Sequence, residues 1–147
     1  MKSHGKVFIP GNVPSLKNSK IKTKRGVFHS KTVTKYLRSL GIQSFSASKK
    51  TVKEYITRPN LFLEYIEEFK AQVEKEKYPL KIGIHFVRGT RHKFDFHNAV
   101  QIIADLLVAH NIIEDDNMDY FLPFPLLLKG NYYSYDKENP GVYLKIL

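Results

Sequence analysis

From Leu80 to Val87 the chain alternates Leu80, Ile82, Ile84 and Phe86 with Lys81, Gly83, His85 and Val87, the period-two pattern of a strand with one buried face. A period near 3.6 runs through Leu61, Leu63, Tyr65, Ile66, Phe69 and Val73 and predicts an amphipathic helix over 60–76 whose outer face mixes Glu and Lys. NAVQIIADLLVAHN, residues 98–111, is apolar nearly all round and predicts a helix buried on most sides. A Ser/Thr segment can cap another helix over 31–40. GKVFIP (5–10) and Gly26–Phe28 suggest short strands on either side of a long Lys-, Ser- and Asn-rich loop, whereas 45–58 is polar and shows no clear period. MDYFLPFPLLLKG and GVYLKIL look like two closing strands, with KGNYYSYDKENPG as the turn region between them. Pro123 and Pro125, two apart, lose their N–H groups on one side, which marks that side as a sheet edge. The expected fold is α+β, a single domain over 1–147 with one mixed or antiparallel sheet flanked by helices.

Composition narrows the setting. A chain of 147 residues hides roughly 70% of the surface its unfolded form exposes, enough for a core without staples. It has no cysteine, so disulfides and thiolate metal sites are excluded, and a reducing, cytoplasmic compartment is the expectation. Only Val7, Phe8 and Ile9 precede Pro10 near the basic start, too few for a signal-peptide apolar region. No run reaches the roughly 20 apolar residues of a membrane span, and no membrane partner is expected.

Charge is unevenly placed. Residues 1–60 hold fourteen Lys or Arg against one acid, Glu54, for +13, and residues 61–147 hold ten against thirteen, for −3. A one-sided basic half with an isoelectric point near 9.7 points toward a polyanion, above all a nucleic acid. Lys17, Asn18, Lys20, Lys22, Lys24 and Arg25 in the early loop, with Arg88, Arg91 and Lys93 after the long strand, are the candidate contacts for such a polyanion, although a solvated basic surface is the plain alternative.

The chemistry gathers around HKFDFHNAVQ, residues 92–101. Asp95 and His97, two apart in what should be the last extended residues before a helix, project to the same side. Asn98, or Asp95 if the helix begins earlier, can cap that helix. Asp105 follows Asn98 by about two turns on the same face. Asp115 and Asp116 come after the chain has turned, and a strand starting there beside 80–88 would bring one of them to Asp95. Carboxylates meeting beside a basic surface suit a hard divalent cation such as Mg²⁺ or Mn²⁺, which can activate water and neutralise a phosphodiester. The same residues also suit ordinary turn chemistry and helix capping.

FDFHNAVQIIADLLVAHNIIEDDN resembles the signature of the RusA family of Holliday junction resolvases, which is often phage-encoded. That signature has an Asp-x-Asp-Asn start, a helix carrying a Lys and then an Asp, and an Asp-Asp pair at fixed distance; the match from Asp95 to Asp116 needs no gap. PGNVPSLKNSK is similar to the family's Pro-rich, Asn-containing opening, with one residue too many before Asn18. The resemblance implies a homodimeric, Mg²⁺-dependent endodeoxyribonuclease that nicks four-way DNA junctions symmetrically, in recombination and repair within a bacterial or phage-infected cell. By position it makes Asp95, His97, Gln101 and Asp116 the catalytic positions, with Asp95, His97, Asp115 and Asp116 around the metal and Asn98 and Asp105 supporting them. Two positions depart: His97 stands where the family has its second acid, and Gln101 where it has an activity-bearing lysine. Imidazole in place of carboxylate weakens Mg²⁺ and favours Mn²⁺; Gln in place of Lys removes a charge able to stabilise the transition state. Three readings follow in order: a junction-cleaving enzyme, a catalytically impaired protein that binds branched DNA, and a basic interaction protein.

Overall fold

The computed structural model describes residues 5–15, 20–23, 26–29, 31–42 and 61–147, with 20–23 and 26–29 as backbone. Ten elements are described: β1 (Val7–Pro10), β2 (Lys20–Thr23), β3 (Gly26–His29), α1 (Lys31–Ser39), α2 (Leu61–Glu74), β4 (Leu80–Arg88), α3 (Phe96–Ala109), β5 (Phe121–Pro125), β6 (Ser134–Tyr135) and β7 (Gly141–Ile146). Five strands make one sheet in the order β1-β7-β4-β5, and β6 also pairs β4. β7 is antiparallel to β1 and β4, whereas β5 and β6 run parallel to β4. The fold is α+β with a mixed sheet, as expected. β2 and β3 form a separate two-stranded sheet, so the expected loop contains a hairpin. The polar 45–58 segment lies outside the described residues.

Each helix presents an apolar stripe to one core. α1 buries Val33, Tyr36 and Leu37, followed by Leu40, and α2 buries Phe62, Ile66, Phe69 and Val73, both spacings being those of a single helical face. Leu63 and Tyr65, assigned to the apolar pattern of α2, are exposed, because at helical period they fall away from that stripe. α2 lies against β1 and β7. α3 buries eight of its residues, leaving Gln101 exposed and Asp105 half-buried. These stripes join Leu80, Ile82, Ile84, Phe86, Val142, Leu144 and Ile146 in one cluster. No helix among the described residues is long and apolar enough to cross a membrane.

β4 corrects one expectation. Its alternation implied one buried face, yet Gly83, His85 and Val87 are buried as well. The segment after β5 folds back over the second face: a Cβ on Gly83 would come within 3.0 Å of the Leu147 side chain and 3.1 Å of the Leu126 side chain. His85 Nδ1 meets Leu126 O at 2.8 Å, and since a carbonyl only accepts, that nitrogen carries the proton. Nε2, on the other side of the ring, lies 2.5 Å from the Ser134 hydroxyl, which can donate to it. β5 is an edge strand, and Leu126, the residue just past it, donates its N–H to Ile84 O of β4 at 2.9 Å, a side shared by the alternate residues Leu122 and Phe124. The two prolines therefore face away from β4, at the edge their spacing implied.

Candidate functional site

α3 begins at Phe96, two residues earlier than its apolar pattern suggested. Asp95, in extended conformation, is the N-cap, and its Oδ1 accepts from the Asn98 backbone N–H at 3.3 Å. Asn98 is thus inside the helix, and its side-chain amide donates to Ser15 O at 3.4 Å. His97 lies in the first helical turn. The expected same-side relation of Asp95 and His97 belonged to extended backbone, and helical neighbours two apart do not face each other. His97 is exposed, with its ring edge-on to Phe96 at 6.0 Å.

The opening segment is tied to the same place by three bonds of different origin. Asn12 Oδ1 accepts from Gly89 N–H at 2.9 Å, Val13 O accepts from Arg88 Nη1, and Ser15 O accepts from Asn98. Ser15, the last described residue before the basic run, therefore lies beside the first turn of α3. Lys17, Asn18, Lys24 and Arg25 lie outside the described residues, and Lys20 and Lys22 are described only as backbone of β2. Arg88 is not an exposed phosphate contact: it is 5% accessible, stacks on the Phe94 ring at 4.8 Å and clamps Val13. Burial pushes its guanidinium pKa down. Arg91 and Lys93 are exposed.

Positions 101 and 105 of α3, one turn apart, share a network with the acidic turn that follows the helix. Gln101 Nε2 donates to Asp105 Oδ1 at 2.8 Å and to Asp116 Oδ2 at 3.1 Å, so a single amide joins two carboxylates from different elements. Asp105, expected to be supporting, is the acid observed to share a partner with Asp116. Asp115 is engaged within its own turn, its Oδ1 accepting from the Asp116 N–H at 2.7 Å and its Oδ2 from Asn117 Nδ2 at 3.3 Å. The turn is reached because Asn111 adopts a left-handed conformation (φ 59°) just past α3. Its negative field pushes the Tyr120 hydroxyl pKa up, with Glu114 the largest cause, ahead of desolvation, Asp119 and Asp115.

Among the described residues, no three His, Asp or Glu side chains stand close enough to hold a metal ion by themselves. Mg²⁺ is commonly held by one or two carboxylates with waters and substrate phosphate, without a cage of protein ligands. Asp95 and Asp116 are both exposed, but the contacts of the described residues tie Asp95 to the Asn98 N–H and Asp116 to Gln101; the expected meeting of Asp95 with Asp115 or Asp116 is not among them, because the strand beside β4 begins only at Phe121. Sequence reasoning missed the buried pair His85–Ser134, the bond from Asn12 to Gly89 and the exposed tyrosines 132, 133 and 135; only the Tyr-Tyr-x-Tyr run was a visible signal. No family model matches the chain, and neither does any curated protein or solved structure.

Proposed function

We propose that the chain is a RusA-like endodeoxyribonuclease acting on four-way DNA junctions with a divalent cation. The observation that carries this is the Gln101 amide joining Asp105 and Asp116: residues separated along the resembling stretch meet on one exposed face of α3. The opening segment supports it further: Asn12, Val13 and Ser15, which precede the basic run in sequence, are bonded to Gly89, Arg88 and Asn98 at the start of that helix.

In this mechanism Arg91 and Lys93 receive backbone phosphates, contributing affinity that falls with salt and carries little sequence information. Asp95 fixes the start of α3, Asn98 ties the opening loop to it, and Gln101 orients Asp116. Asp95 and Asp116 would hold Mg²⁺ or Mn²⁺ together with the phosphate. When bound, the ion supplies a water of lowered pKa and neutralises phosphate charge. A second copy of the chain supplies the second nick by two-fold symmetry, and it docks away from the proline edge of β5, which lacks the N–H groups for strand addition.

One observation favours a second reading, binding of branched DNA without cleavage. Gln101 is a neutral donor directed at Asp116, where a lysine would carry charge. Purified protein incubated with a synthetic four-way junction or a matched duplex, in Mg²⁺, Mn²⁺ or EDTA, separates the two. Paired, metal-dependent nicks in the junction are expected, and both Asp95→Asn and Asp116→Asn should abolish them. Asn caps helices about as well as Asp, so Asp95→Asn tests charge and leaves the fold in place. Gln101→Lys should raise the nicking rate by roughly a hundredfold. Junction-selective binding without nicks in either metal gives the second reading, and no junction selectivity overturns both.

A further inference from the structure

After β5 the chain makes a tight turn in which Lys129 (φ 49°) and Gly130 (φ 82°) are left-handed. Leu128 and Asn131 exchange backbone bonds of 2.9 and 3.0 Å across it. The next residues carry three exposed rings: Tyr132, Tyr133 and Tyr135 are 63%, 54% and 39% accessible. Residues 130–135 bound a shallow surface cavity of about 560 Å³. Large aromatic surface left in water in a cluster marks a binding surface more often than scattered exposed residues do.

The backbone beneath these rings is fixed. Ser134 is held by buried His85, Ser134 and Tyr135 pair with Val87 and Arg88, and Asp136 N–H donates to Arg88 O at 2.9 Å. The backbone that carries the rings is therefore set before any ligand arrives, which lowers the entropic cost of binding. The Arg91 guanidinium lies 4.0 Å from the Tyr135 ring centroid, with exposed His92 and Lys93 following it. The Tyr133 ring packs tilted, centroids 5.3 Å apart, against Phe94, the residue before the helix-capping Asp95. Flat rings beside cationic side chains match the two surfaces of a single nucleic-acid strand, base faces and phosphates.

We propose that Tyr132, Tyr133 and Tyr135 form a stacking platform for unpaired bases, while Arg91 and Lys93 take the phosphates of the same strand. The inference rests on the proposed function for the identity of the polyanion and adds the part of it that is recognised: bases unstacked at a branch point, presented next to Asp95. Stacking on aromatic rings is indifferent to base identity, so the platform selects for unpaired structure and not for sequence.

The test measures binding of fluorescein-labelled oligo(dT) and of a duplex of equal length by anisotropy, in EDTA and at fixed salt. The proteins compared are the wild type, the Tyr132→Leu/Tyr133→Leu double variant and the Tyr132→Phe/Tyr133→Phe double variant. Loss of two stacking rings should weaken single-strand binding about tenfold or more, with duplex affinity unchanged and the Phe variant close to wild type. Circular dichroism of each variant verifies the fold. The proposal is overturned if the wild type does not bind oligo(dT), if the Leu variant binds it as well as the wild type, or if single-strand and duplex binding fall together. Because EDTA suppresses cleavage, single-strand binding without junction nicking would remove the nuclease reading and leave the platform. Normal nicking with unchanged oligo(dT) binding in the Leu variant would do the reverse.

Discussion

Both faces of β4 are buried, Lys81 apart, but they are built differently. On one, Leu80, Ile82, Ile84 and Phe86 enter the helix-covered core, where any close-packed apolar partner serves. On the other, the cover is a segment with little regular structure, held by Gly83 against Leu126 and Leu147 and by His85 between Leu126 O and Ser134. The first face is held by area and the second by a few directed bonds. The difference matters because the tyrosine turn is attached to the second face, while the helix bearing Gln101 and Asp105 belongs to the first.

The sharpest way to break the comparison is to truncate one side chain on each face. Phe86→Ala should cost about 3–5 kcal/mol, read as a fall in the urea midpoint with little change in slope, because it removes a fully buried ring and leaves a cavity. His85→Ala should cost less, about 2–3 kcal/mol, by leaving Leu126 O and the Ser134 hydroxyl without their partner. It should also increase amide hydrogen exchange over 126–135 while β7 keeps its protection. Equal loss of protection in β7 would mean that the two faces form one cooperative unit.

A smaller effect separates the two buried histidines. His110, just past α3, lies on the Phe62 ring at 4.7 Å and donates from Nδ1 to Leu106 O at 2.7 Å. Desolvation outweighs that bond and holds its pKa below the usual 6.5. Its unfolded form therefore takes up a proton at higher pH than its folded form. This contribution to stability is complete above about pH 6.5 and declines as pH falls below it, until the folded form also titrates. Tm measured from pH 7.5 to 5.5 should fall, and His110→Gln should flatten part of the fall. An unchanged profile in that variant would assign the slope to other groups.

The helix-covered face of β4 was legible because its residues alternate and the partners that cover it carry their own 3.6 period. The second face was not, since its cover comes from Leu126, Ser134 and Leu147, distant in sequence from it, and a buried histidine reads in sequence like an exposed one. Likewise Phe94, Asp95 and Phe96 alternate like strand, but capping by Asp95 turns the chain into helix at Phe96 and moves His97 away from it. The spacing of Asp95, Gln101, Asp105 and Asp116 along the chain was plain. That Asp105 shares the Gln101 amide with Asp116 depends on the path of the turn after Asn111, which spacing alone does not determine. β6, only two residues long, lacks the length for any period.

The sheet order has a consequence for how the chain is made. β7 comes last in the sequence yet lies between β1 and β4, so a ribosome releases both neighbours before the strand that joins them. Until residues 141–146 emerge, β1 has no partner in this sheet and the β7-facing side of β4 is open. The main sheet therefore cannot close during synthesis of the preceding residues, and its longest-range pairing, β1 with β7, is a slow, non-local step. A nascent chain stalled before Gly141 should be held by chaperones and cut readily by protease, whereas one extended far enough to release Ile146 should resist both.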